Sequence, residues 1–426
     1  MKIERKLFLY FCSQLSAFEN IYRPIVLIFL FILPFTLQSQ VHSTLSLNFS
    51  NTSKQIENII NLDLSTMDYE ALTMITGEKV NLRAKNLNIN NVSFEPEEIH
   101  TRGKSTLNFK RKSLAFSLNS AASFQHNEKN QKLKKFDLLS LSMDKYYIRN
   151  RLAFQMMEHL ELFELFYTFS EFKINGNSEG IYLVVERPQD WALQDRKSPL
   201  IIRRGYNHSI DKIKLNKKAD KKESKFFVDS FRQIYKILPK YQGEELYQML
   251  SERIDLENYM RWLAFNYFVH NGDYADEVFF YADPKSGKLR IIPWDYDDIF
   301  AKAPHEGKEV TDRILSGKLI FSSEDALDVK IATDEFLYAK YLQVFKEVLE
   351  KLDPDILKQI FENTFSELYP YYSDIEIISH SQYDYYKYAD IEKLKKELNS
   401  LFLQLLEFRT FQLNNLERPQ NLSFQK

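Results

Sequence analysis

The sequence predicts an α+β fold in two lobes, a β-rich N-terminal lobe followed by a mainly helical C-terminal lobe. Three observations carry that expectation. Short runs of alternating apolar residues crowd the first half, helical spacing dominates the second, and one β-type interruption at residues 278–294 stands inside the helical half. The first lobe is read as 59–205 and the second as 206–426, and a chain of 426 residues is long enough for both cores.

Residues 24–37, PIVLIFLFILPFTL, form an apolar run of 14 without a charge. It is shorter than the roughly 20 residues of a spanning helix. Residues 1–40 are therefore read as a signal peptide or an N-terminal membrane anchor, which places the protein outside the cytoplasm in a periplasmic, cell-surface or secreted location. Residues 41–58 are a polar Asn/Ser/Thr spacer. IINLDLS, VNLRAKNLNINNVSF and SLAFSL then read as strands, and residues 146–166 as a helix with Ile148, Leu152, Met156 and Leu160 on helical spacing. SEFKI and GIYLVVER flank Asn175-Gly176, a hairpin turn signal, and residues 200–202 read as another strand. The lysine-rich run 211–225 reads as a solvated loop or an exposed helix face rather than a docking patch. Helices are expected at 225–238, 244–271, 334–352, 354–368 and 390–416.

Composition excludes several classes. A formal net charge of −2 gives no global field for nucleic acid. Ten glycines in the whole chain form no G-x-G-x-x-G or Walker loop, so a nucleotide must be held by side chains and metal. The single cysteine, Cys12, precedes the apolar run, which removes disulfides and thiolate metal sites from the main body.

The chemistry concentrates around residues 270–300. VFFY and LRII, separated by ADPKSGK, read as an antiparallel hairpin. Its pairing brings Asp273, before the first strand, beside Asp295 and Asp297, after the second, although Asp273 and Asp295 lie 22 residues apart. Asp276, Glu277 and Asp298 join the same end. Clustered carboxylates repel unless a cation or a shared proton sits among them. Trp294, Tyr296 and Phe300 interleave the acids, which argues for a packed site over a solvated acidic loop. Hard oxygens without Cys favour Mg²⁺, Mn²⁺ or Ca²⁺ over Zn²⁺, and His270 reads as a packing histidine rather than a ligand. Upstream, Arg102-Gly103-Lys104-Ser105-Thr106 leads to Lys110-Arg111-Lys112, a basic segment able to hold phosphate or to guard a strand edge. Glu186 ends an apolar strand, where it either pairs with a lysine or faces solvent.

IHTRGKST, YYIRNRLAFQMM, KINGNSEGIYLVVER, IDLENYMRWLAFNYFVHNGDYADEVFFY and IIPWDYDDIF occur in that order over about residues 98–300. Together they resemble the CotH kinase family of atypical protein kinases similar to spore coat protein H. The resemblance implies a protein-kinase-like fold and transfer of the ATP γ-phosphoryl group, with Mg²⁺ or Mn²⁺, to Ser or Thr of a protein substrate. It implies Asp273 as the catalytic base, Asp295 as a metal ligand with Asp297 in support, and Lys112 and Glu186 as cofactor-binding residues, Lys110 being a substitute for Lys112; Arg102, from the basic segment, is read as a further cofactor-binding residue. The Arg149-Asn150-Arg151 segment also matches, without a role that spacing reveals. Glu277 occupies a second metal position where members of the family often carry Asn, which adds negative charge there. Two other classes fit parts of the pattern: a kinase-like envelope binding protein with impaired catalysis, and a carboxylate-pair glycosidase, whose acids must be spread across a sugar cleft.

Overall fold

A computed structural model describes residues 46–417 apart from 51–54, 128, 206–208, 275–277, 306–312, 322, 324 and 381–389. Contacts divide the chain into Met1–Asn48 and Phe49–Lys426, and every helix and strand among the described residues belongs to the second unit. The apolar run 24–37 lies outside the described residues, among which no helix is long and apolar enough to cross a membrane.

The larger sheet is built from β1 (Ile59–Leu64), β2 (Ala84–Ile89), β3 (Val92–Phe94), β4 (Pro96–Arg102), β5 (Ser113–His126), β6 (Lys129–Leu139), β7 (Tyr167–Ile174) and β8 (Asn177–Glu186). Their order is β3-β2-β1-β7-β8-β6-β5-β4. The β1–β7 pair is parallel and the others are antiparallel. Strict alternation sorts the side chains. Leu114, Phe116, Phe136, Leu138 and Val184 fill the core on one face, with the Phe116 and Phe136 rings stacked at 4.8 Å. Asn175 (φ 51°) and Gly176 (φ 81°) close the β7–β8 hairpin in the left-handed conformation that such a turn requires.

A second sheet has the order β10-β9-β11-β12, formed by β9 (Leu200–Arg204), β10 (Ile210–Leu215), β11 (Phe279–Asp283) and β12 (Lys288–Ile292). It joins segments on both sides of residue 205, so the β9–β10 pair straddles the lobe boundary read from the sequence. The lysine-rich run is likewise divided. Its first part is strand β10, and its second opens helix α3, where the Asp220 carboxylate accepts from the Lys222 and Glu223 amides.

The helices of six residues or more among the described residues are α1 (Thr66–Thr73), α2 (Arg149–His159), α3 (Lys221–Ile237), α4 (Gly243–Ser251), α5 (Leu256–Phe268), α6 (Ala326–Thr333), α7 (Glu335–Lys351), α8 (Pro354–Ser373), α9 (Ile375–His380) and α10 (Ile391–Glu417). The stretch 244–271, read as one helix, is two. Asp255 caps α5 by accepting from the Asn258 amide, and Ile254 bridges to Leu289 instead of continuing α4. The architecture is α+β, with a large N-terminal sheet and a helical C-terminal region, as the sequence pattern predicts.

Candidate active site

The β11–β12 hairpin forms with Phe279 opposite Ile292 and Asp283 opposite Lys288, so the segments before β11 and after β12 emerge at one end. Backbone hydrogen bonds then fasten these segments together. The Gly272 amide donates to the Asp298 carbonyl (3.1 Å), and the Phe300 amide donates to that of Val269 (2.7 Å). A Cβ at Gly272 would lie 2.1 Å from Asp298 Oδ2 and 2.9 Å from the Ala301 Cβ, so a side chain there would displace the Asp298–Ala301 segment. Asn271, fully buried, donates from Nδ2 to the Asp295 carbonyl (3.4 Å) and accepts at Oδ1 from the Asp273 amide (3.3 Å). One side chain thereby sets the loop of Asp273 against the loop of Asp295.

Asp273, Asp295 and Asp297 line the same cavity, of about 610 Å³. Its volume falls in the range of roughly 300–1,000 Å³ usual for small-molecule sites. Asp295 has φ +64°, a left-handed conformation that is uncommon outside glycine and concentrates at functional sites. Burial raises the Asp297 carboxyl above its ordinary range; a hydrogen bond to Asp295 opposes the rise, and the Asp298 charge adds to it. Arg149 braces this segment by donating from Nη1 to the Asp297 carbonyl (2.9 Å), and its own amide donates to buried Asp144 (2.6 Å). Asn150 accepts from the Tyr296 amide (3.3 Å) and also lines the cavity. Arg151 turns inward to Glu367 (2.6 Å) and Tyr167 (2.9 Å). The Arg149-Asn150-Arg151 segment thus holds the Asp295–Asp297 loop on one side and anchors α2 on the other. Single-sequence spacing carried no signal of that role.

Another part of the cavity lining is basic. Register places His100 and Arg102 of β4, Ser113 and Ala115 of β5, and Asp137 of β6 on one sheet face, with Arg187 following β8. Asp137 pairs with Arg187 Nε (3.1 Å) and Arg102 Nη1 (3.3 Å), and the Arg102 guanidinium lies 5.3 Å from the centre of the Trp294 ring. Arg102 thus lines the same cavity as the acids.

Two other expected residues, Lys112 and Glu186, do not line it. Lys112 is 2 % exposed and donates from Nζ to the carbonyls of Met74 (2.7 Å) and Phe109 (3.0 Å), away from the cavity wall. Its even-numbered place follows the core face of β5, while Ser113 and Ala115 take the cavity face. Glu186 shares that core-side parity. It accepts from the Phe166 amide (3.2 Å) and, largely through burial, its carboxyl is pushed up to about 7. Asp137, Arg187, Lys79 and Arg203 line the cavity in their place and were not singled out from the sequence. Glu277 and Asp276 lie outside the described residues. His270 stacks on Phe321 at 4.8 Å and 5°, the packing role expected of it.

Among the described residues no group of three His, Cys, Asp or Glu side chains is arranged to enclose a metal. The donor set nonetheless suits Mg²⁺, a hard ion usually held by one or two carboxylates, substrate phosphates and water rather than by an all-protein cage. Burial and the Asp298 charge raise the Asp297 carboxyl, and a cation there would offset both.

Against known proteins, the chain is 23 % identical over 275 residues to the inner spore coat protein H of Bacillus subtilis (strain 168), covering 60 % of this chain and 71 % of that one. Among solved structures it resembles a chain of the Shewanella oneidensis MR-1 toxin antitoxin system HipA, HipB and operator DNA complex. That likeness has 12 % identity, a TM-score of 0.34, and coverage of 71 % of this chain and 66 % of that one, just under two thirds. Residues 99–402, which include both walls of the cavity beyond Lys79, match the family described as CotH kinase protein, and the chain belongs to that family.

Proposed function

We propose that the chain is an exported Ser/Thr protein kinase that transfers the ATP γ-phosphoryl group with Mg²⁺ or Mn²⁺. The carrying observation is the pair Asp273 and Asp295 on one cavity of about 610 Å³ whose lining also bears Arg102 and Arg187. Phosphoryl transfer asks a protein mainly for positioning and charge neutralisation, and acidic and basic parts of one lining supply both. Asp273 orients the acceptor hydroxyl and takes its proton as the oxygen attacks phosphorus and the bond to the ADP oxygen breaks. Asp295, with Asp297, would hold the divalent ion, which neutralises charge on the phosphate oxygens. Arg102 and Arg187 face the same phosphates, fixed by the Asp137 carboxylate between them. The curated relative is a spore coat protein, and with the apolar run 24–37 it supports export.

The test is γ-labelled ATP with residues 41–426, with Mg²⁺ and with Mn²⁺, beside Asp273→Ala. Label in the wild type and none in a folded variant supports the kinase; equal label in both overturns it. A second reading, a kinase-like envelope binding protein, is favoured by one observation: the Lys112 ammonium is engaged with backbone carbonyls outside the cavity. Absence of thermal stabilisation by ATP with either ion would select it.

A further inference from the structure

The β10 part of the lysine-rich run that reads as a solvated stretch lies beside residues that line the cavity and forms its outer lip. Cross-strand pairs set Ile292 opposite Phe279, Phe279 opposite Arg203, and Arg203 opposite Lys212, with Lys214 opposite Ile201. Directly opposed residues share a sheet face. Ile292, Phe279, Arg203 and Ile201 all line the cavity, so Lys212 and Lys214 continue its floor outward onto β10. Both are exposed, and β10 ends the strand order, hydrogen bonded to β9 alone among the described residues.

The lip holds more cations than its own acids balance. Lys214 donates from Nζ to Oε1 of Gln189, a cavity residue (2.5 Å). Burial lowers the Lys214 pKa; Asp190 opposes, and the adjacent Lys135, Arg187 and Lys212 lower it further. Asp190 lies 3.8 Å from Lys135, and Asp211 lies 3.4 Å from Arg203. Arg187 is already paired with Asp137, so Lys212 and Lys214 are the two cations left over, and α3, next in the chain, opens with the exposed Lys221 and Lys222.

We propose that this lip is the docking surface for an acidic, extended segment of the acceptor protein, so that the kinase selects Ser or Thr flanked by Asp or Glu. Free strand edges accept an extended peptide through its backbone, while the flanking side chains supply charge selection. The inference deepens the kinase reading and rests on it for turnover, but not for binding. Lysines that merely keep an edge strand from pairing would show no such selectivity.

The experiment uses residues 41–426 and the variant Lys212→Glu/Lys214→Glu, both sites being exposed and outside the catalytic machinery. Fluorescence anisotropy of a labelled Ser-Glu decapeptide at low salt needs no turnover. Loss of roughly fivefold or more in affinity on charge reversal, and a similar loss in 0.5 M NaCl, is expected for two to three exposed ion pairs. Peptide kinetics with acidic and lysine-flanked acceptors should show the KM preference reversed in the variant, with kcat and the KM for ATP unchanged. Equal affinity of wild type and variant for the acidic peptide overturns the docking surface even if the wild type proves an active kinase. Acid-selective, lip-dependent binding without any phosphoryl transfer retains the surface and removes the kinase reading.

Discussion

The two walls of the cavity were assembled by different rules. The acidic wall comes from one hairpin, whose turn and register place Asp273 beside Asp295 by local pairing, with Asp283 opposite Lys288 at the far end. The basic wall comes from five strands or strand ends spread from His100 to Arg203, each contributing one face of a period-two pattern. Local pairing tolerates an error of a residue at a strand end. A period of two does not, because a slip of one sends a side chain through the sheet. Lys112 shows the consequence: adjacent to cavity-lining Ser113, it lies in the protein interior.

If the acidic wall holds the reacting groups, its removal gives the largest effect. Asp273→Asn and Asp295→Asn should each reduce transfer by about a thousandfold or more, as loss of a proton acceptor or a charge-stabilising group does. Melting temperatures near wild type would show that the loss is chemical. Residual transfer within tenfold of wild type in Asp273→Asn would dissolve the distinction between the walls.

The second prediction concerns the brace behind that wall. Asp144 is 2 % exposed, and burial raises its carboxyl from 3.8 to about 6, against the lowering effects of Arg149 and its amide; the Asp297 charge adds to the rise. The folded state therefore binds a proton more tightly than the unfolded state does. Stability from this group is fully present below pH ~4 and is lost as pH rises through about 6, at most about 3 kcal/mol in all. Denaturant titrations at pH 4, 5, 6 and 7 should show a decline that Asp144→Asn flattens. A decline of equal size in the variant would assign it to other groups.

The basic wall should give intermediate effects that appear in KM. Arg102→Met removes a guanidinium paired with Asp137 and placed over Trp294. A rise of about tenfold in the KM for ATP, equivalent to ~1.4 kcal/mol, is expected, with little change in kcat. An equal fall in kcat at constant KM would move Arg102 to the acidic wall's side of the comparison.

Much of the molecule was legible because the signals were local. Asn175-Gly176 marked its hairpin, and the interleaving of Trp294, Tyr296 and Phe300 with the acids marked a packed site, Tyr296 being fully buried. Arg149 and Asn150 were illegible because their partners, the Asp297 carbonyl and the Tyr296 amide, lie 148 and 146 residues away. Such contacts have no period or spacing that one sequence can display. Arg187 and Asp137 were missed for a related reason, since an Arg–Asp pair across neighbouring strands becomes a site only through what it faces.

The smallest expected effect on nucleotide binding is the sharpest test of the parity argument. In Lys112→Met the cavity loses nothing, because the ammonium is held by the carbonyls of Met74 and Phe109. The KM for ATP should remain within twofold of wild type, a change of under ~0.5 kcal/mol. Stability should fall instead. Two part-buried hydrogen bonds from a charged donor are lost, each worth about 1.5–3 kcal/mol at most. Urea titration and ATP saturation on the same preparation separate the outcomes. A stable variant with a tenfold higher KM would mean that the Lys112 side chain crosses to the cavity when nucleotide binds, and that strand parity does not govern the basic wall.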